Sequence, residues 1–126
     1  MAPRGDHLET GREAENRAAA LLRSRGWTVL DRNYRAPRGE LDIVARDGEY
    51  VVFVEVRARH SDDFGDPVET VGAAKRAALR RAARAWLAAH AMEDEPVRFD
   101  IITFGGAELD EVARYEDVFG FEDPWG

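Results

Sequence analysis

Between Gly39 and Arg59 the chain reads GELDIVARDGEYVVFVEVRAR, two β-prone runs on either side of Asp47-Gly48. Asp-Gly is one of the strongest two-residue turn signals, because a type I′ turn needs positive φ at both central residues. The stretch predicts an antiparallel hairpin, and whatever else the chain forms must be built around it. Its composition is unusual for a buried hairpin. Glu40, Asp42, Glu55 and Arg57 stand where a plain sheet would carry more Val and Ile.

With Asp47 and Gly48 as the central turn residues, Arg46 pairs with Glu49, Asp42 lies opposite Phe53, and Glu40 lies opposite Glu55. Side chains alternate along a strand, so Glu40, Asp42, Glu55 and Arg57 are expected on one face. Asp42 and Glu55 then become diagonal neighbours with backbones about 7–8 Å apart, within reach of convergence. Gathered carboxylates repel unless a positive charge lies between them. Mg²⁺ suits that place, since it takes oxygen ligands and typically uses one or two carboxylates plus waters and phosphate oxygens. Arg57 would stand beside a substrate anion held there. The alternative for the same residues is a solvated hairpin face decorated with cross-strand ion pairs.

The flanking sequence supplies helices. Thr10 with Glu13 fits a capping box, the run from Arg12 to Arg25 is rich in Ala, Leu, Arg and Glu, and Gly26 is a stop signal. Ala14, Ala18, Leu21 and Leu22 form its apolar stripe. Trp27 to Leu30 predicts a short strand, followed by a basic connection through Arg32, Arg35 and Arg38. After a loop, Asp66 as N-cap and Pro67 in the first turn predict a second helix to about Ala91, with Val71, Ala78, Leu79, Ala82 and Trp86 facing the core. Val97 to Phe104 reads as a strand, and the segment after Gly105-Gly106 as a last edge strand. The predicted fold class is α/β, a mixed sheet with helices packed on it. Residues 1–11 read as a flexible lead-in, 12–105 as the core domain and 106–126 as an acidic strand and tail.

With 126 residues one domain can bury a core without staples, and the absence of cysteine excludes disulfides, Cys-based zinc sites and thiol catalysis. No apolar run approaches the ~20 residues of a membrane span, which predicts a cytoplasmic protein with no membrane partner. The net charge of −7 is concentrated at one end. Residues 106–126 hold seven acids and one base, a net of −6, so the remainder is close to neutral and nucleic acid stays open as a partner.

The motifs GREAENRAAALLRSRGWTVLDRNYR, GELDIVARDG, VVFVEVRAR, FGDPVETVGAAKRAALRRAARAWL and VRFDIITF occur here in an order and spacing that resemble the bacterial YraN family. That family lies within the PD-(D/E)xK superfamily of restriction-endonuclease-like and Holliday-junction-resolvase-like nucleases, and the similarity spans roughly residues 11–105. The resemblance implies a core of order αβββαβ and a Mg²⁺- or Mn²⁺-dependent site that hydrolyses phosphodiesters in nucleic acid, DNA ahead of RNA. It assigns Asp42 and Glu55 to the metal-binding acids and Arg57 to the place of the signature lysine. Glu15 matches an acid that completes the site in resolvase-like members, its alternative being a helix glutamate paired with nearby arginines. Glu40 belongs to the GE-x-D motif as a supporting or alternative ligand. Arginine stays protonated and cannot act as a general base, so Arg57 would hold phosphate and stabilise developing charge.

The expected nucleic-acid contacts are Arg35, Arg38, Arg59, Lys75 and Arg76. Lys75 falls on the core-facing side of the second helix, where it either reaches the strand carboxylates or snorkels at the edge. Arg76, Arg80 and Arg84 make a row at i, i+4 and i+8, either a solvated face or a track for phosphates. Asp100 reads as a structural anchor. Resolvase-like relatives act as dimers, and Val118, Phe119, Phe121 and Trp125 are the candidate dimer surface. Two non-enzymatic readings stand beside the nuclease: a silent module of the same fold, and an interaction protein whose acidic tail docks on a basic surface.

Overall fold

The computed structural model describes residues 3–58, 71–106 and 108–122, the segment 3–10 by its backbone alone. Five strands form a single mixed sheet in the order β1-β2-β3-β4-β5. The chain runs α1 (Pro3–Ser24), β1 (Thr28–Ala36), β2 (Gly39–Asp47), β3 (Tyr50–Ala58), α2 (Ala73–Ala89), β4 (Val97–Gly105) and β5 (Glu111–Phe119). β1, β2 and β3 are an antiparallel meander, α2 carries the chain over to a parallel pairing of β4 with β3, and β5 returns antiparallel along β4. The αβββαβ order expected from the resemblance is present, with the extra edge strand after it.

Each sheet face has its own helix and its own core. Ala14, Ala18, Ala19 and Leu22 of α1 pack on Ile43, Ala45, Val52, Val54, Ile102 and Phe104. Leu79, Ala82, Ala83, Trp86 and Leu87 of α2 pack on Leu41, Val44, Val51, Phe53, Phe99 and Ile101. Consecutive strand residues thus serve opposite cores, and the central strands β3 and β4 are apolar on both faces, as a sheet covered on both sides requires.

Several boundaries differ from those expected. α1 reaches back to Pro3, so Thr10 lies within it and does not cap it. The basic stretch after Leu30 is strand, not connection: β1 continues to Ala36, placing Arg32 and Arg35 in it. Ala36 pairs with Gly39 across a two-residue turn, Pro37-Arg38, in which Arg38 has φ +65°. Positive φ at the second central position after Pro is the type II pattern, and Gly or Asn is the usual residue there. An arginine in that place gives the sequence no turn signal. In the second hairpin Asp47 pairs with Tyr50, so Gly48-Glu49 is the turn. Gly48 alone has positive φ, the II′ arrangement with Gly first, where I′ with Gly second had been expected. α2 has Gly72 as an extended N-cap and begins at Ala73. The start expected at Asp66-Pro67 lies outside the described residues, as do Arg59 and Trp125.

Phe119 stacks on Phe99 with ring centroids 4.5 Å apart, and Phe121 meets Phe99 edge-on at 5.3 Å. Val118, Phe119 and Phe121 therefore cover this chain's own core rather than forming the expected dimer surface. Asp100 is an anchor, 1% exposed, accepting from the guanidinium of Arg98, from Arg114 and from the backbone N–H of Asp117.

Candidate active site

The turn shift moves the β2–β3 register by two residues. Val44 faces Phe53 and Ile43 faces Val54, so the next step brings Asp42, not Glu40, level with Glu55. At that point the alternation of β2 slips. Leu41 belongs to the α2-side core, and a Cβ on Gly39 would overlap the carbonyl oxygen of Ala78 in α2. Ile43 and Ala45 belong to the α1-side core. Strict alternation would place residues 39 to 45 of odd number on one face. Asp42 consequently lines a cleft on the α1 side together with Glu15, Glu40 and Val56. Its Oδ2 accepts the backbone N–H of Val56 at 2.8 Å.

Glu55 projects towards α2. It is 6% exposed, and its Oε2 is held by Lys75 Nζ at 3.2 Å and by Arg57 Nη2 at 3.3 Å. The four hairpin charges thus do not share a face, contrary to expectation: Glu40 and Asp42 open to the α1-side cleft, Glu55 and Arg57 to the α2 side. The carboxyls of Asp42 and Glu55 nevertheless stand close enough for a proton on one to be shared with the other. Burial, then that sharing and the neighbouring charge of Glu55, push the Asp42 carboxyl from 3.8 up to about 7, against the opposing pull of Val56 N–H and Lys75. Arg57 Nε is buried and has no hydrogen-bond partner among the described residues.

Glu15 lines the same cleft as Asp42 and is fixed from β1. Its Oε1 accepts from Arg32 Nε and Nη2 at 3.1 and 2.9 Å and from Asn33 Nδ2 at 2.7 Å. Asn33 sits at φ +54°, a conformation that Asn tolerates better than most residues. Sequence reasoning missed Arg32 and Asn33 as the residues that orient Glu15. Only a bulge in β1 between Val29 and Asp31, and this positive φ, bring them there. Glu40 is half-exposed at the rim and lies 3.8 Å from Arg35 Nε.

Lys75 is brought to the carboxylates, as one of its two readings anticipated. Arg35 and Arg38 flank the site on β1 and the following turn. Arg38's carbonyl accepts from Arg81, which ties that turn to α2. Arg76 is directed to the carbonyl of Val71. In the arginine row, Arg80 and Arg84 hold the C-terminal segment, bonding the carbonyls of Gly120 and Phe121 and covering the rings of Phe119 and Phe121.

Two neighbouring carboxylates, one with its pKa pushed up to about 7, make a donor set that fits Mg²⁺ or Mn²⁺, since a divalent cation can take the place of a shared proton. Among the described residues no three acidic or histidine side chains converge on one point. Asp42 and Glu55 are the ligands the geometry offers, with Glu15 across the cleft and not in their cluster. Among those residues, too, no helix is long and apolar enough to cross a membrane.

Fold and site together define a small α/β domain with a restriction-endonuclease-like core and a carboxylate pair, Asp42 partly buried and Glu55 buried, where two strands part. The chain belongs to the UPF0102 (YraN) family: the model of "Uncharacterised protein family UPF0102" matches residues 14–104. A UPF0102 protein of Anaeromyxobacter dehalogenans is 50% identical over 100 residues, 78% of this chain and 75% of that one. One from Moorella thermoacetica is 44% identical over 110 residues, 87% of this chain and 92% of its own. A third, from Nitrosomonas europaea, is 42% identical over 109 residues, with 86% and 92% covered.

Proposed function

We propose that this chain is a metal-dependent nuclease that hydrolyses phosphodiester bonds in nucleic acid, DNA ahead of RNA. The observation that carries the reading is buried Glu55, paired with partly buried Asp42 and with Lys75 and Arg57 both seated on it. A plain structural sheet gains nothing from setting a buried and a partly buried carboxylate side by side, whereas a cation and phosphate site needs them there. The αβββαβ core and the motif resemblance point the same way.

Asp42 and Glu55 would hold Mg²⁺ or Mn²⁺, and the bound cation would supply Lewis-acid chemistry, lowering the pKa of a water and polarising a phosphoryl oxygen. Arg57 and Lys75 bring two positive side chains to one carboxylate oxygen, the place where the charge of a phosphate would be balanced. Arg57, whose guanidinium cannot act as a general base, would serve as an electrostatic stabiliser. Lys75, arriving from α2, puts an ammonium beside the carboxylate although the strand position of the signature lysine holds arginine. Glu15, fixed by Arg32 and Asn33, and Glu40 at the rim would orient what enters the cleft.

A second reading has its own support. Lys75 and Arg57 already balance Glu55, as they would in a module that binds nucleic acid or a protein partner and cuts nothing. Labelled duplexes, single strands, flaps, four-way junctions and RNA, each incubated with Mg²⁺, Mn²⁺ or EDTA, separate the two. Metal-dependent cutting that disappears in Glu55→Gln establishes the enzyme. Binding without cutting, equal in both proteins, establishes the module.

A further inference from the structure

Two clefts flank the β1–β2 turn. One, of about 460 Å³, lies on the α1 side between Arg12, Glu15, Asn33 and Asp42. The other, of about 350 Å³, lies on the α2 side between Gly39, Lys75 and Ala78. Arg35 and Glu40 line both, so the clefts meet at that rim, with Asp42 in the wall of the larger one and Lys75, which holds Glu55, in the wall of the smaller. Each falls within the roughly 300–1,000 Å³ of pockets that enclose small organic groups.

We propose that this double cleft receives an unpaired strand of nucleic acid, with one nucleotide in each half and the intervening phosphate over the carboxylates. The proposal takes the nucleic-acid substrate from the reading above but not the cutting. Three observations carry it. Asp42 is partly buried and lies in the wall of the larger cleft, so a phosphate reaches it by entering that cleft with its neighbours. A paired strand keeps its phosphates on the outside of a stiff helix and its bases stacked inside, whereas an unpaired strand can turn its nucleotides to either side. The two halves also differ in chemistry. The α1 side offers Arg12, Asn33 and Glu15, whose bonds from Arg32 and Asn33 all go to Oε1. Those groups suit the edges of an unstacked base. The α2 side offers Lys75 against the small walls of Gly39 and Ala78, which suit a sugar and phosphate. Finally, Arg57 and Lys75 bring two cations to Glu55, and Lys75 also lines the smaller cleft, which favours an anion there.

Gly11 provides the test. It lines the larger cleft, and a Cβ added there meets no atom of the described residues within 4 Å. Gly11→Phe should fill that half without disturbing the carboxylates, and Arg35→Glu, at an 84% exposed side chain, should repel a strand at the shared rim. Fluorescence anisotropy with Ca²⁺ present would compare a labelled single strand with the same sequence as a blunt duplex. The expected result is single-strand binding tighter by about tenfold or more, reduced towards the duplex value in both variants, while circular dichroism shows them folded. Equal affinity for strand and duplex, or a preference that survives both variants, overturns the proposal and leaves the nuclease reading to the cleavage panel. A single-strand preference lost in the variants, with no cutting of any substrate, upholds the cleft and overturns the nuclease.

Discussion

Replacing Asp42 by Asn imitates the protonated form of the carboxyl. The amide can accept the Val56 N–H through its oxygen and donate to Glu55 through its nitrogen. The wild-type carboxyl is raised from 3.8 to about 7. At ~1.36 kcal/mol per pKa unit, the folded state therefore disfavours ionised Asp42 by up to about 4 kcal/mol relative to the unfolded chain. Because the folded pKa is the higher one, the stabilising contribution is complete below about pH 4 and is lost as the pH climbs through about 7. The variant has no such group and supplies the baseline for every other carboxyl. Between about pH 5 and pH 8 in EDTA the wild type should lose about 2–3 kcal/mol relative to Asp42→Asn, a relative shift of roughly 10 °C in melting temperature for a domain of this size. Urea and thermal unfolding at the two pH values measure it directly. Parallel profiles for the two proteins would refute the shared-proton description of the pair. Millimolar Mg²⁺ at pH 8 should then restore wild-type stability and leave the variant unmoved.

Gly39→Ala should destabilise by about 1–3 kcal/mol in urea titrations, because its methyl would overlap the Ala78 carbonyl, a backbone atom that cannot rotate away. Asp100→Ala should cost about 3–5 kcal/mol, since it leaves Arg98 and the Asp117 N–H without their buried acceptor; near-neutral stability would contradict the network. Lys75→Met removes one of the two cations on Glu55 and should lower any metal-dependent cleavage at least tenfold while the fold persists by circular dichroism. Arg35→Gln combined with Arg38→Gln should weaken nucleic-acid binding and flatten its dependence on salt, which anisotropy at several salt concentrations reads out.

Much of this protein could be read locally. Asp47-Gly48 between β-prone runs announces a hairpin, helical stripes in residues 14–22 and 78–86 announce the two covering helices, and an acid separated by twelve residues from Glu-x-Arg marks the strands that carry the site. Those features depend on periodicity and turn chemistry, which act over a few residues. What they could not determine was decided at longer range. The turn formed one residue later than Asp-Gly suggests, because Gly48 takes the first central position; that moved the register by two and set Asp42 level with Glu55. The face of Asp42 depends on where alternation slips, and it slips because Gly39 and Leu41 are drawn against α2 while Ile43 and Ala45 are buried under α1. No local pattern announces Arg38 in a left-handed turn or Asn33 reaching Glu15, since both conformations are held by neighbours far along the chain. The chemical groups of the site were therefore legible in one dimension. Their meeting point, with Lys75 arriving from a helix twenty residues downstream of Glu55, exists only once both helices have packed on the sheet.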